Sequence, residues 1–307
     1  MRKQQLERLL EARRLLLRWH DSNARRFSWR EKIRDPYSVL LCELMGQQTQ
    51  ATRIEEYLKK FLSHFASPSE LAAAPQPQIL RLWQGLGYNR RAINLHRAMK
   101  TIATEHNNIV PDTFEALLRL PGVGPYTAKA VLVFAYQEPY SAIDVNVSRV
   151  ITRLYSKTTK HEVLLPIQQV EKIADTILPV KQVRAWHEAL MDLGATICIK
   201  RAPKCDSCPL QQVCPSTVLG KGLRKDKIPS NRTAEKLYYG HPKRIWRGRA
   251  LKYISNHSGA TRSELKAYLK QQFDLDAAKS TAIATLVLPE LTAEGFIQIQ
   301  GGRIELA

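Results

Sequence analysis

Residues 120–150, LPGVGPYTAKAVLVFAYQEPYSAIDVNVSRV, decide how the chain folds and what it does. Gly122 and Gly124 stand in a short uncharged turn, where glycine permits positive φ and a close approach of the main chain to a partner. Pro121 has no N–H, whereas Val123 and Gly124 keep theirs. A helical run starts at Tyr126, and its first amides lack partners inside the helix. Free amides at the positive end of a helix attract an anion. A helix–helix turn that binds nothing has the same letters, so Gly-x-Gly is weighed with the rest of the chain. After the helix stands a lone aspartate, Asp144, ahead of a second helical run.

Composition names the anion. The 307 residues carry 47 Lys+Arg against 28 Asp+Glu, a net charge of +19. So basic a chain meets polyanions, nucleic acid first; solubility alone or an anionic membrane surface are the other readings. No run of 18 apolar residues exists to cross a membrane, and the N-terminus lacks a signal-peptide pattern. The expectation is a cytoplasmic protein, nucleoid-associated if bacterial, acting as a monomer.

Outward from the hairpin, apolar residues recur at helical spacing over 4–20, 51–66, 68–84, 89–106, 146–156, 164–178 and 183–197. Asp35-Pro36 opens a helix by capping and pre-set φ, and Glu43 lies inside its apolar run. FSWR at 27–30 reads as a loop. No strand is expected before residue 220, so residues 1–216 form an all-α domain. Residues 217–242 form a basic linker with Gly and Pro. Residues 243–307 hold three helical runs, then two alternating segments about Gly301-Gly302, a winged-helix-like pattern.

The chain has five cysteines. Cys198, Cys205, Cys208 and Cys214 read C-x6-C-x2-C-x5-C, suited to a tetrahedral zinc or a [4Fe–4S] cluster, and spacing alone does not choose. Cys42 reads as a small buried hydrophobe. Two carboxyl groups stand out, and each has a plain reading, a salt-bridged buried glutamate for Glu43 and a helix N-cap for Asp144, beside a catalytic one in which the pair supplies a proton to a leaving group and negative charge to a developing cation. Glu43, in an apolar setting, keeps its proton to higher pH; Asp144, better hydrated, stays ionised. The amides Gln47 and Gln48 and the aromatic Tyr88 suit base flipping.

The hairpin, the aspartate in IDVNVSRV and the four-cysteine loop together resemble the helix-hairpin-helix DNA glycosylase superfamily, which implies a [4Fe–4S] cluster at the cysteines. FSWR, ELMGQQTQ (43–50), QGLGYNRRA (84–92) and HEALMDLGA (187–195) are similar to the adenine DNA glycosylases of the MutY family, which act on A opposite G or 8-oxoguanine in duplex DNA. The resemblance covers about residues 10–216. It implies that Glu43 protonates the adenine and positions water, that Asp144 stabilises the oxocarbenium-like sugar, and that Tyr126 and Asn146 complete the catalytic set. Glu188 then reads the flipped adenine, Gln48 and Tyr88 enter the duplex, and Trp29 and Arg30 wall the base pocket. Strand-cutting members carry a lysine nucleophile where this chain has Tyr126; a monofunctional enzyme that leaves an abasic site is expected. Residues 217–307 read as too short, too helical and too poor in strands for the family's Nudix-like C-terminal domain, which recognises 8-oxoguanine, so a chain lacking that domain is expected and recognition of that base stays open. A thymine glycosylase for T·G mismatches and a catalytically silent mismatch-binding protein are the alternatives.

Overall fold

A computed structural model of the chain describes residues 3–31, 35–156, 164–216 and 235–307. The helices run α1 (Lys3–Asn23), α2 (Ser28–Glu31), α3 (Pro36–Gly46), α4 (Ala51–His64), α5 (Pro68–Ala73), α6 (Gln76–Trp83), α7 (Arg90–Glu105) and α8 (Phe114–Arg119). They continue as α9 (Pro125–Val131), α10 (Val145–Tyr155), α11 (Ile167–Ile177), α12 (Val183–Thr196), α13 (Lys243–Asn256), α14 (Arg262–Phe273) and α15 (Ala277–Ala293). Five short strands follow the same order: β1 (Leu237–Tyr238), β2 (His241–Pro242), β3 (Ala260–Thr261), β4 (Ile297–Gln300) and β5 (Arg303–Leu306).

Two compact units interleave along the sequence. The first comprises Met1–Gln48 with Ile109–Ile228, the second Thr49–Asn108 with Pro229–Ala307. In the first unit, Leu9 and Leu16 of α1, Val150 and Ile151 of α10, Ile173 of α11 and Trp186 and Leu190 of α12 share one core, with Cys198, Cys208 and Cys214 packed at its edge. Each such side chain contributes roughly 1.5–3 kcal/mol by leaving water. Helix α3 opens on Asp35, whose carboxylate accepts from the Ser38 amide at 2.9 Å, a cap worth about 1 kcal/mol. Tyr37, Leu40, Leu41, Leu44 and Met45 bury most of α3, and Glu43 is left half-buried among them.

In the second unit, helices α4–α7 group with the C-terminal segment, which sequence reading sets apart as 243–307. The Gln76 side chain donates to the carbonyls of Gly295 and Ala307, both at 2.8 Å, and Arg90 donates to the Glu294 carbonyl at 3.1 Å. Strands β3, β5 and β4 form an antiparallel sheet in that spatial order, with Ala260 and Ile299 flanking Ile304. Most of the expected basic linker, residues 217–234, lies outside the described residues; its end forms the antiparallel pair β1–β2. The helix expected over 68–84 breaks at Ala74-Pro75, because proline disfavours helical backbone in the residue before it, and Ala74 has ψ 143°. FSWR is not a loop: residues 28–31 form the helical turn α2.

Candidate active site

The hairpin joins α8 to α9. Gly122 has φ +83°, a conformation for glycine. Gly124 does not share it: at φ −99° it is the N-cap of α9. The end of α3 ties to this hairpin through Gln47, whose amide donates to the Gly122 carbonyl at 3.3 Å and approaches Thr127 Oγ1 at 3.4 Å. The adjacent Gln48 is exposed with φ +60°. After α9 the backbone widens into a π-helical segment, Leu132–Tyr136, a distortion common at functional sites. It carries Phe134, whose carbonyl accepts a hydrogen bond from Arg184 of α12.

A cavity of about 520 Å³, open to solvent, is lined by Trp29, Arg30, Val39, Cys42, Glu43, Phe134, Arg184, Glu188 and Met191. Trp29 is set by a parallel stack on Phe27, with ring centroids 4.4 Å apart. Burial, and then the nearby Asp144 carboxylate, push the Glu43 carboxyl up to about 7. The Tyr126 hydroxyl is driven well above its usual value, first by burial and then by Glu43 and Asp144.

Asp144 caps α10. It accepts from the amides of Asn146 at 2.9 Å and Val147 at 2.7 Å, and from Asn146 Nδ2 at 3.1 Å. Asn146 Oδ1 in turn accepts from Arg149 at 2.8 Å. Gly194 of α12 lets this corner close, since a Cβ there would stand 2.8 Å from Asn146 Cβ. Gly194→Ala is expected to cost about 1–3 kcal/mol by overpacking and to lower activity through displacement of Asn146; thermal melts and excision rates of the one variant check both.

Glu188 lies opposite. Desolvation raises its pKa, against the pull of Arg30, Arg184 and His20. Its Oε1 is 4.0 Å from Arg30 Nε. Behind them, one turn along α12, Asp192 is wholly buried. It accepts from Arg30 Nη1 at 2.8 Å and Nη2 at 3.0 Å, and from the Arg25 amide at 2.9 Å and Nε at 2.6 Å. Desolvation alone would raise the Asp192 pKa, but Arg30 and then Arg25 more than reverse it, and the carboxyl is held below its usual range.

The four clustered cysteines lie close together: the Cys205 and Cys208 thiols are pushed up by burial first and then by the other cysteines, Cys208 to about 12. Arg149 Nε donates to the Cys198 carbonyl at 2.8 Å, and Arg153 reaches Cys198 Sγ at 3.2 Å and the carbonyls of Ile199 and Lys200 at 3.0 and 2.9 Å. Among the described residues, no three His, Cys, Asp or Glu side chains converge as ligands of a metal ion.

Residues 41–174 match the family model of the HhH-GPD superfamily of base excision DNA repair proteins. The adenine DNA glycosylase of Mycobacterium tuberculosis is 39% identical over 197 residues, 64% of this chain and 64% of that protein. The adenine DNA glycosylase of Mycolicibacterium smegmatis is 32% identical over 295 residues, 95% of this chain and 94% of that protein. The chain belongs to the adenine DNA glycosylase family. A thermostable thymine-DNA glycosylase superposes with TM-score 0.64 at 27% identity, over 69% of this chain and 97% of that one. An endonuclease III in a trapped DNA complex shares the fold, with TM-score 0.60 at 24% identity, over 73% and 100%.

Of the residues that the resemblance to adenine DNA glycosylases implies, Glu43, Trp29, Arg30 and Glu188 line one cavity. Asp144 and Tyr126 lie near enough to Glu43 to act on it electrostatically, and Asn146 holds Asp144, but none of the three lines the cavity. Tyr88 belongs to the second unit, 59% exposed on the turn before α7, with Arg91 over its ring at 5.5 Å. Sequence reasoning missed Phe134, Arg184, Met191 and Asp192. The last three were within reach, because they lie three or four residues from Glu188 and so share its face of α12.

Proposed function

We propose that this protein is a monofunctional adenine DNA glycosylase acting on A·G or A·8-oxoguanine mispairs. The observation that carries the reading is Glu43: an acid held near pKa 7, next to a second carboxylate, in a cavity with an aromatic wall and a polar edge. Protonated Glu43 gives its proton to the flipped adenine, and the bond from sugar C1′ to the base nitrogen breaks with its electron pair passing to the base. Asp144 faces the sugar cation, while Asn146 holds one of its oxygens in place. Water then adds to C1′, its proton passes to the ionised Glu43, and an abasic site remains. Trp29 and Phe134 wall the base, and Arg30 and Glu188 meet its polar edge. Gln48 enters the space that the base leaves, Tyr88 meets the duplex, and the main-chain N–H of Gly124 grips phosphate without reading sequence, while that of Val123 is spent on the Leu120 carbonyl at 3.1 Å.

Tyr126 supports hydrolysis without strand cutting, since a phenol forms no Schiff base with the sugar. The nearest lysine of the helix, Lys129, is occupied: its Nζ lies 3.0 Å from Glu171 Oε1. Because Glu43 acts in its protonated form, single-turnover excision is expected to fall as pH rises above about 7, approaching tenfold per unit; a pH–rate profile reads this directly.

Cys198, Cys205, Cys208 and Cys214 suit a [4Fe–4S] cluster, and Arg149 and Arg153 brace the surrounding main chain and Cys198 Sγ. When bound, such a cluster would cross-link the loop, which Arg149 and Arg153 tie to α10 through the carbonyls of Cys198, Ile199 and Lys200. Cys208→Ser is expected to lower bound iron and to weaken duplex binding, read by iron analysis and by titration with labelled DNA. Residues 243–307, in the order helix, strand, helix, helix and hairpin, suit a winged helix. Assays with A·G, A·8-oxoguanine and T·G duplexes in parallel test the reading: release of adenine supports it, and release of thymine alone replaces it with a thymine glycosylase.

A further inference from the structure

We propose that Asp192, which the mechanism above does not use, is the positioning residue that sets selectivity for adenine, by fixing Arg30 against Glu188 at the polar edge of the base cavity. The inference rests on the adenine-excision reading.

The geometry splits the Arg30 guanidinium between two carboxylates, with Nη1 also donating to the Arg25 carbonyl at 3.3 Å. Nη1 and Nη2 are spent on the two oxygens of Asp192. Nε is left at the cavity, 4.0 Å from Glu188 Oε1, so an N–H donor stands beside a carboxylate acceptor. A flipped base is read on its Watson–Crick edge. In adenine that edge is an amine donor next to a ring-nitrogen acceptor, the complement of this pair. Hypoxanthine inverts both groups, with a carbonyl acceptor next to an N–H donor. It therefore leaves both protein groups opposed by their like.

The polarity depends on the clamp. Asp192 is fully buried and its two oxygens accept from Arg25 as well as Arg30, so neither oxygen is free to turn. His20 closes the third side: its Nε2 is 3.8 Å from Asp192 Oδ2 and 3.9 Å from Glu188 Oε2, beyond hydrogen-bonding distance. It keeps the two carboxylates apart without bridging them. With the charge of Asp192 removed, the Arg30 fork is released, and the nearest carboxylate is Glu188. A bidentate pair between them occupies the acceptor that the base requires.

The test is single-turnover excision from duplexes carrying adenine or hypoxanthine opposite guanine, for the wild type, Asp192→Asn and Asp192→Glu. The wild type is expected to prefer adenine. Asp192→Asn should lower the adenine-to-hypoxanthine ratio by about tenfold, the worth of one mispaired buried polar group, and Asp192→Glu should restore part of it. A merely structural loss slows both bases alike and leaves the ratio unchanged. Where Asp192→Asn fails to fold, Arg30→Lys gives the same answer, because an ammonium cannot hold Asp192 with two nitrogens and present a third. An unchanged ratio in a folded variant overturns the proposal, as does a wild type that releases both bases equally fast. A wild type that releases neither overturns the adenine-excision reading, and this proposal with it.

Discussion

Glu43→Gln lowers the rate of base excision by about a thousandfold or more, within the range set for a lost general acid, while affinity for the mismatched duplex is retained. The amide keeps the shape of the side chain in the apolar surroundings of α3 but has no proton to give. The same variant is expected to be more stable than the wild type at alkaline pH. Glu43 has its folded pKa raised from 4.5 to about 7, chiefly by burial. Below 4.5 the group is neutral in both states and costs nothing. Between 4.5 and 7 the folded protein holds a proton that the unfolded chain has released, so stability falls as pH rises and stays lower above 7. Glutamine does not titrate. The difference between variant and wild type should therefore grow from near zero at pH 4 to on the order of 1–3 kcal/mol at pH 8. Denaturant titrations at the two pH values measure it; equal differences at both would place Glu43 in water.

Asp144→Asn separates structure from catalysis in the same way. Asparagine caps a helix about as well as aspartate, so α10 should lose less than about 1 kcal/mol. The bonds from the amides of Asn146 and Val147 survive in kind, since an amide oxygen still accepts. What disappears is the negative charge beside the developing sugar cation. Excision is expected to fall by about 10²–10³, the scale measured for removing a preorganised electrostatic group. A second effect tests the coupling of the pair. Asp144 contributes to the raised pKa of Glu43, so the residual activity of Asp144→Asn should lose its alkaline limb at lower pH than the wild type. A residual profile with the wild-type limb would mean that the two acids do not sense each other.

The parts of this site that sequence disclosed are those whose signal is local. Glu43 is conspicuous because a carboxyl interrupts the apolar run of α3, and Asp144 because it precedes a helix as a cap does. The cysteine spacing is likewise a property of one short segment. The clamp behind the base cavity is different in kind. Arg25, Arg30 and Asp192 come from the turn after α1, from α2 and from α12, and no periodicity links residues 167 positions apart. Asp192 alone reads as one more charge on an amphipathic helix, yet it is fully buried because two arginines meet it there. The π-helical segment at 132–136 was equally hidden: its letters are those of an ordinary apolar helix, and only the main-chain hydrogen bonds distinguish it. The turn held two glycines for which sequence predicts one conformation; the structure uses the left-handed region at Gly122 and an extended cap at Gly124. The association of residues 235–307 with the helices of 49–108 also escaped, because it rests on Gln76 and Arg90 donating to distant main-chain carbonyls.

The central claim, that Glu43 and Asp144 cleave the bond between adenine and its sugar, is tested most directly by one measurement. A duplex with a single A·G mispair, labelled on the adenine strand, is incubated with the wild-type protein and then treated with alkali. The account predicts a strand break at that adenine after alkali, free adenine in solution, and an intact strand without alkali. An adenine strand left whole after alkali, with the protein folded and bound to the duplex, would contradict it.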